Sequence, residues 1–230
     1  MLRMCHPRDG RHTATRADDR EASNDMGVNT SGQPSLRERN KLRARSDILD
    51  ATAEVLGQSG YADTSLDEVS RRAGLSRGTL YAHFPGGREE IVREAYLRIA
   101  DAVYLRGVSL REESSDLAGR VAALARSLVE ATSTPAGRFY GVVGPDTVPV
   151  LSTVMGSTST SFEALIKLDL AAAHASGQLK RDADIDALAT ALSGAIRASG
   201  ARSALKPHTA AQQVDAIKLL TEGLLNPSKS

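Results

Sequence analysis

An all-α fold is predicted from three observations. Apolar residues recur at three- and four-residue spacing in run after run from residue 36 onward, Ser, Gly and Pro punctuate the gaps, and no run reads convincingly as a strand. At 230 residues and 41% apolar content, the chain can build a substantial core. Its formal net charge of +1 leaves the whole-molecule field weak, so any nucleic-acid surface must come from local clustering of cations. Cys5 is the single cysteine, which excludes an internal disulfide framework and fits a reducing, cytoplasmic setting. No apolar stretch approaches the roughly 18 to 20 residues needed to cross a bilayer. The opening MLRMCHPRDG also lacks the apolar centre of a signal peptide, so no membrane association is expected.

Residues 1–34 are polar and aperiodic and cannot repay the entropy of ordering, so a disordered tail is expected there. Met26 offers a second place for translation to begin; the competing reading is an ordinary flexible arm. From Leu36 a long amphipathic helix is predicted, with Ile48, Ala51, Thr52 and Val55 on one stripe and an end near Ser59, where Gly60 provides a stop. Its start is basic, through Arg37, Arg39, Lys41, Arg43 and Arg45, which reads either as a phosphate-facing run or as a solvated helix face. Ser65 followed by Glu68 is a capping-box signature for a short second helix with Leu66, Val69 and Ala73 on its buried side. Gly74 supplies a left-handed turn, Leu75 fills the angle, and Ser76 caps a third helix whose inward residues are Leu80 and Phe84. Pro85, Gly86 and Gly87 end it, and a fourth helix runs from Arg88 to about Gly107.

Two short helices joined by a tight glycine turn, the second one capped and outwardly polar, fit the major groove of a duplex. Arg77, Gly78, Thr79, Tyr81 and His83 are expected to face outward. Arg77 can donate two hydrogen bonds to a guanine, Thr79 can meet a thymine methyl or a phosphate, and Gly78 lets the backbone approach the bases. Tyr81 and His83 suit phosphates. Thr64 with Ser65, Ser76, Arg88, Arg43 and Arg45 complete the expected contacts, the helix N-termini adding partial positive charge. Each has a plainer reading: Tyr81 can pack its ring under the third helix, and Ser65 and Ser76 can act as caps alone. His83 has no Cys or acidic neighbour at ligand spacing, so neither a metal nor a cofactor is expected.

The run TSLDEVSRRAGLSRGTLYAHFPGGREEIV resembles the DNA-binding segment of the tetracycline-repressor-like (TetR) family, and the resemblance extends over about residues 45 to 106. The LYAHFPGGREE portion separates it from generic helix-turn-helix sequences; Arg88 stands where lysine is frequent in the family, and the leader is unusually long. The resemblance implies an N-terminal three-helix DNA-binding domain at 35–87 and a helical effector-binding and dimerisation domain at 88–230. It further implies a homodimer on a palindromic operator, released by a small-molecule effector.

In the second half, helices are expected at roughly 116–132, 158–176, 183–200 and 209–225, with short pieces between 133 and 157, where Pro135, Gly137, Gly141, Gly144, Pro145 and Pro149 interrupt. Leu188, Leu192 and Ile196 form one apolar stripe and Val214, Ile217, Leu220 and Leu224 another, both implied as dimer interface and both able instead to fill the protomer core. Tyr96, Tyr104, Phe139, Tyr140, Met155, Phe162 and His174 are the candidate effector contacts; with aromatics at 3% of the chain, each ring is equally suited to core packing. An enzyme would need a nucleophile with a base, paired carboxylates, a phosphate loop or a metal cluster, and none stands out. The acidic run Asp182, Asp184 and Asp186 is more simply a charged helix start. An all-helical protein-interaction module is the other competing class.

Overall fold

A computed structural model describes residues 35–143 and 149–227; the expected tail at 1–34, with Cys5 and Met26, and Gly144 and Pro145 lie outside the described residues. The helices are α1 (Leu36–Asp63), α2 (Leu66–Ala73), α3 (Arg77–His83), α4 (Gly87–Glu112), α5 (Leu117–Thr132), α6 (Arg138–Val142), α7 (Ser157–Ala175), α8 (Ile185–Leu205) and α9 (Ala210–Glu222). Among the described residues no strand forms beyond a lone bridge between Leu179 and Leu225.

α1 starts as an exposed overhang over residues 36–43 and joins the core at Ile48. Its regular course breaks at Gly60, with φ 74° and ψ 179°, a conformation that disfavours any residue with a Cβ. Thr64 closes the final turn by donating its hydroxyl to the Gly60 carbonyl at 2.6 Å. α2 and α3 are too short to persist alone; caps and a shared core hold them. Ser65 accepts from the Glu68 N–H, Ser76 accepts from the Thr79 N–H, and Gly74, at φ 66°, sends its own N–H to the Arg71 carbonyl. Val69, Leu80 and Phe84 then bury against Ile48, Val55, Ile91 and Ala95.

α4 runs one and a half turns beyond the expected stop at Gly107. That glycine is helical and buried because a Cβ there would meet the Phe162 ring and the Ser127 hydroxyl at 2.9 Å. The larger core joins α4, α5, α7, α8 and α9 through Val103, Val121, Leu124, Phe162, Ile166, Leu192 and Ile217. Among the described residues between 133 and 156, only α6 and a short 3-10 turn at Pro149–Leu151 are regular, in keeping with the proline and glycine content. α8 begins two residues later than expected and continues to Leu205, and α9 ends at Glu222.

The far end of α4 is clamped by charge. Asp169 of α7, its side chain 3% exposed, accepts two hydrogen bonds of 2.7 Å from Arg111 and one of 3.2 Å from Arg120. The hydrogen bonds to Asp169 hold the Arg111 guanidinium above its ordinary pKa. Removing the acid leaves two partly buried cations facing each other, a loss of about 3 kcal/mol and roughly 6–12 °C in melting temperature for a chain of this size. Asp169→Ala is expected to show that drop by calorimetry; an unchanged melting temperature would remove the clamp from the account.

Candidate nucleic-acid interface and ligand cavity

The exposed side of α3 is assembled by what lies beneath it. Leu80 and Phe84 are 1% and 0% exposed, so the residues between them are forced outward. Ser76, Arg77 and Gly78 are exposed, Thr79 is half-buried, and Tyr81 is 45% exposed. Tyr81 does not pack beneath α3; its ring edge lies about van der Waals distance from where a Gly87 Cβ would stand. Thr79 shares a 2.9 Å hydrogen bond with the Ser76 hydroxyl, which fixes both at the helix start. Arg77 is paired with Asp67 of α2 at 3.1 Å, with both side chains largely in solvent, where such a pair is weak and exchangeable.

Several expected contacts turn out to be braces. Arg45 lies 4.2 Å above the Phe84 ring, donates to the His83 carbonyl at 3.0 Å and pairs with Glu94 at 3.2 Å, tying α1 to the end of α3 and to α4. Arg88 sits 4.1 Å from the Tyr61 ring and donates to the Tyr61 and Ala62 carbonyls, so its guanidinium closes the end of α1 and does not project as a phosphate clamp. At the start of α4 the Glu90 carboxylate accepts from the Gly86 N–H at 2.7 Å and so places a negative charge there. Thr64 is 3% exposed with its hydroxyl engaged, which withdraws its side chain from the surface. His83 is half-buried with Nδ1 turned inward and no hydrogen-bond partner, whereas Ser65 and Arg43 remain exposed. The sequence offered no signal for the Arg45 and Arg88 ties because their partners lie 26 to 49 positions away.

A cavity of about 520 Å³ lies among α4, α5, α6, α7 and α8. Tyr96, Tyr140, Met155 and Phe162 line it as expected. Phe139 instead packs in a cluster with Leu56, Val92 and Leu151, and Tyr104 stacks on Phe162 at 6.5 Å without reaching the lining. His174 is near the end of α7, against the Arg181 carbonyl at 3.2 Å, away from the cavity. Thr158, Ser159, Ser193 and Arg197 line it without having been expected; small polar residues on amphipathic helices have no sequence mark that separates a cavity wall from a solvated face. The Tyr140 hydroxyl donates to Thr158 at 2.7 Å, and Tyr96 and Tyr140 lie 4.7 Å apart with their hydroxyls in contact. Burial raises both tyrosine pKa values, so both hydroxyls stay neutral at physiological pH.

The expected pairing stripes also divide differently. Leu192, Ile196, Val214 and Ile217 are 2 to 8% exposed and fill the protomer core, while Leu188 and Leu224 are half-buried and packed on it. Leu220 and Leu219 of α9 are exposed, as are Leu205, Ala187, Ala191 and Ala198 of α8.

Residues 48–95 match the family described as bacterial regulatory proteins, tetR family. The head, residues 48–95, is thus a TetR-family segment. Over 85 residues the chain is 29% identical to the HTH-type transcriptional regulator LmrA of Bacillus subtilis, a match covering 37% of this chain and 45% of LmrA. Over 45 residues it is 44% identical to the HTH-type transcriptional regulator SrpR of Pseudomonas putida, covering 20% of this chain and 21% of SrpR. The chain thus spans less than half the length of these relatives. The whole fold is similar to a TetR transcriptional regulator from Chloroflexus aurantiacus, with TM-score 0.68 at 17% identity over 83% of this chain and all of that one. Among the described residues no helix is long and apolar enough to cross a membrane.

The braces make a checkable claim about the TetR head. Arg45→Ala removes the stack on Phe84 and the cap on His83, and is expected to destabilise the head by about 2 kcal/mol. Faster amide exchange confined to α2 and α3 is the expected readout; uniform exchange throughout the chain would contradict a local brace.

Proposed function

We propose that the protein is a homodimeric, sequence-specific DNA-binding transcriptional regulator, a repressor released from a palindromic operator by a small-molecule effector. The observation that carries this reading is the outward face of α3, capped by Ser76, anchored by Leu80 and Phe84, and left exposed at Arg77, Gly78 and Tyr81. A seven-residue helix held this way is short enough to lie in a major groove with its N-terminal residues against base edges. Arg77 is the base-reading candidate, once a guanine competes with Asp67 for its guanidinium. Ser65, Ser76, Thr79, Tyr81 and Arg43 are the candidates for phosphate contact; His83 joins them through the half of its ring not turned inward. Arg45 and Arg88 act by holding α3 and α4 in place.

One short helix covers too few base pairs to specify a site, so two heads on a two-fold axis are needed. The outer face of α8 and α9 suits such an axis. Ala187, Ala191 and Ala198 permit close approach, Gly194 has open space where a Cβ would stand, and Leu205, Leu219 and Leu220 supply apolar area left uncovered in the protomer. The cavity is the effector site of this reading. Tyr96 of α4 lines it, two turns along from Arg88 at the end of the head, so a ligand that moves α4 changes head spacing by its differential affinity for the two arrangements.

Selection of bound duplexes from a random pool is expected to return a two-fold-symmetric sequence, with affinity falling as salt rises by about 0.9 logarithmic units per phosphate contact. Arg77→Ala is expected to narrow the preference for that sequence over random DNA by roughly five- to 150-fold. No enriched sequence, or a preference unchanged in the Arg77 variant, would refute the assignment. The double variant Ala191→Glu, Leu219→Glu is expected to sediment as a folded monomer and to lose the symmetric site; a persisting dimer would place the axis elsewhere.

A further inference from the structure

We infer that the cavity takes an amphipathic organic monoanion, its carboxylate-type headgroup held by Arg197 and its apolar body lying against Leu128, Phe162 and Ile196. This deepens the effector-site reading above and rests on it for its regulatory meaning, though not for binding itself. Three observations carry it. The volume, about 520 Å³, suits a compact ligand of drug-like size. Among the described residues the lining has one formal charge, the Arg197 guanidinium, and no Asp or Glu. Arg197 is exposed on α8 and forms no ion pair with any described residue, so its guanidinium is free to turn toward a ligand at the cavity.

The rest of the polar lining is neutral and largely engaged with itself. The Tyr96, Tyr140 and Thr158 hydroxyls form a short chain, and Ser193 donates to the Ser159 carbonyl at 3.0 Å. Burial keeps both tyrosines protonated, so they add no negative charge opposite Arg197. Asp101, whose charge also raises the Tyr140 pKa, is not part of the lining. A cationic ligand would meet Arg197 unpaired, and a polyanion would find only one counter-charge. A carboxylate can accept a forked pair of hydrogen bonds from the guanidinium while its apolar part displaces water from the remaining wall.

Binding is tested with the full chain in the absence of DNA, by titration calorimetry with decanoate, 2-naphthoate, decanol and decyltrimethylammonium. Decanoate and naphthoate distinguish a flexible chain from a planar ring as the body. At least one of the two carboxylates is expected to bind about tenfold or more tightly than decanol, as a charge-assisted hydrogen-bonded pair implies. Arg197→Gln is expected to erase that advantage by weakening the carboxylates far more than decanol, and Arg197→Glu to transfer the preference to decyltrimethylammonium. Carboxylates no tighter than decanol, an advantage surviving in Arg197→Gln, or no binding of any probe would overturn the inference. Carboxylate binding that leaves duplex affinity untouched would support the cavity assignment and count against the regulatory reading alone.

Discussion

The structure depends on the burial of α4 on two sides at once. Ile91 and Ala95 close the core beneath α2 and α3, while Val92 and Tyr96, one position along, pack toward Leu56, Phe139 and Leu151. Further along the same helix Val103 enters the large core, and Arg111 is held by Asp169. Because interiors are close-packed, a helix buried on both sides cannot be displaced at one end without repacking at the other. The head and the cavity are therefore attached to one continuous helix, and the coupling proposed between them needs no separate machinery.

The head adds a second constraint. Eight residues of α2 and seven of α3 hold their angle because Ser65, Gly74 and Ser76 cap them, Val69, Leu80 and Phe84 share a core, and arginines brace the surroundings. Arg45, Arg72, Arg88 and Arg98 each join α1 to another element, through His83, Glu54 and Gln58, Tyr61, and Ser46 with Asp50 respectively. Much of the positive charge around the head is thus occupied within the protein. The cations left for a duplex are fewer than the sequence suggests, which makes Arg77 and the exposed overhang of α1 more important to the proposed contact.

The helices and their turns were legible because local chemistry writes them. Ser65 and Ser76 are caps, Gly74 is left-handed, and the break at Gly60 falls where the apolar stripe stops. Leu80 and Phe84 were legible as the inward pair, which in turn placed Tyr81 outward. What the sequence did not separate was the partner of each side chain. Arg88 and a phosphate-binding arginine look alike until the Tyr61 carbonyl is seen beside it, and the stripe of Leu192 and Ile196 shows that something covers it without saying whether the cover is the same chain or another. Phe139, Tyr104 and His174 missed the cavity for the same reason: a ring marks burial, and only packing decides between core and wall.

Amide hydrogen exchange of the full chain, with and without a duplex selected from a random pool, tests the central claim most directly. Added protection is expected to centre on residues 76–82, with a lesser effect near Ser65. Unchanged exchange across those residues while the duplex is bound would contradict it and move the interface off α3.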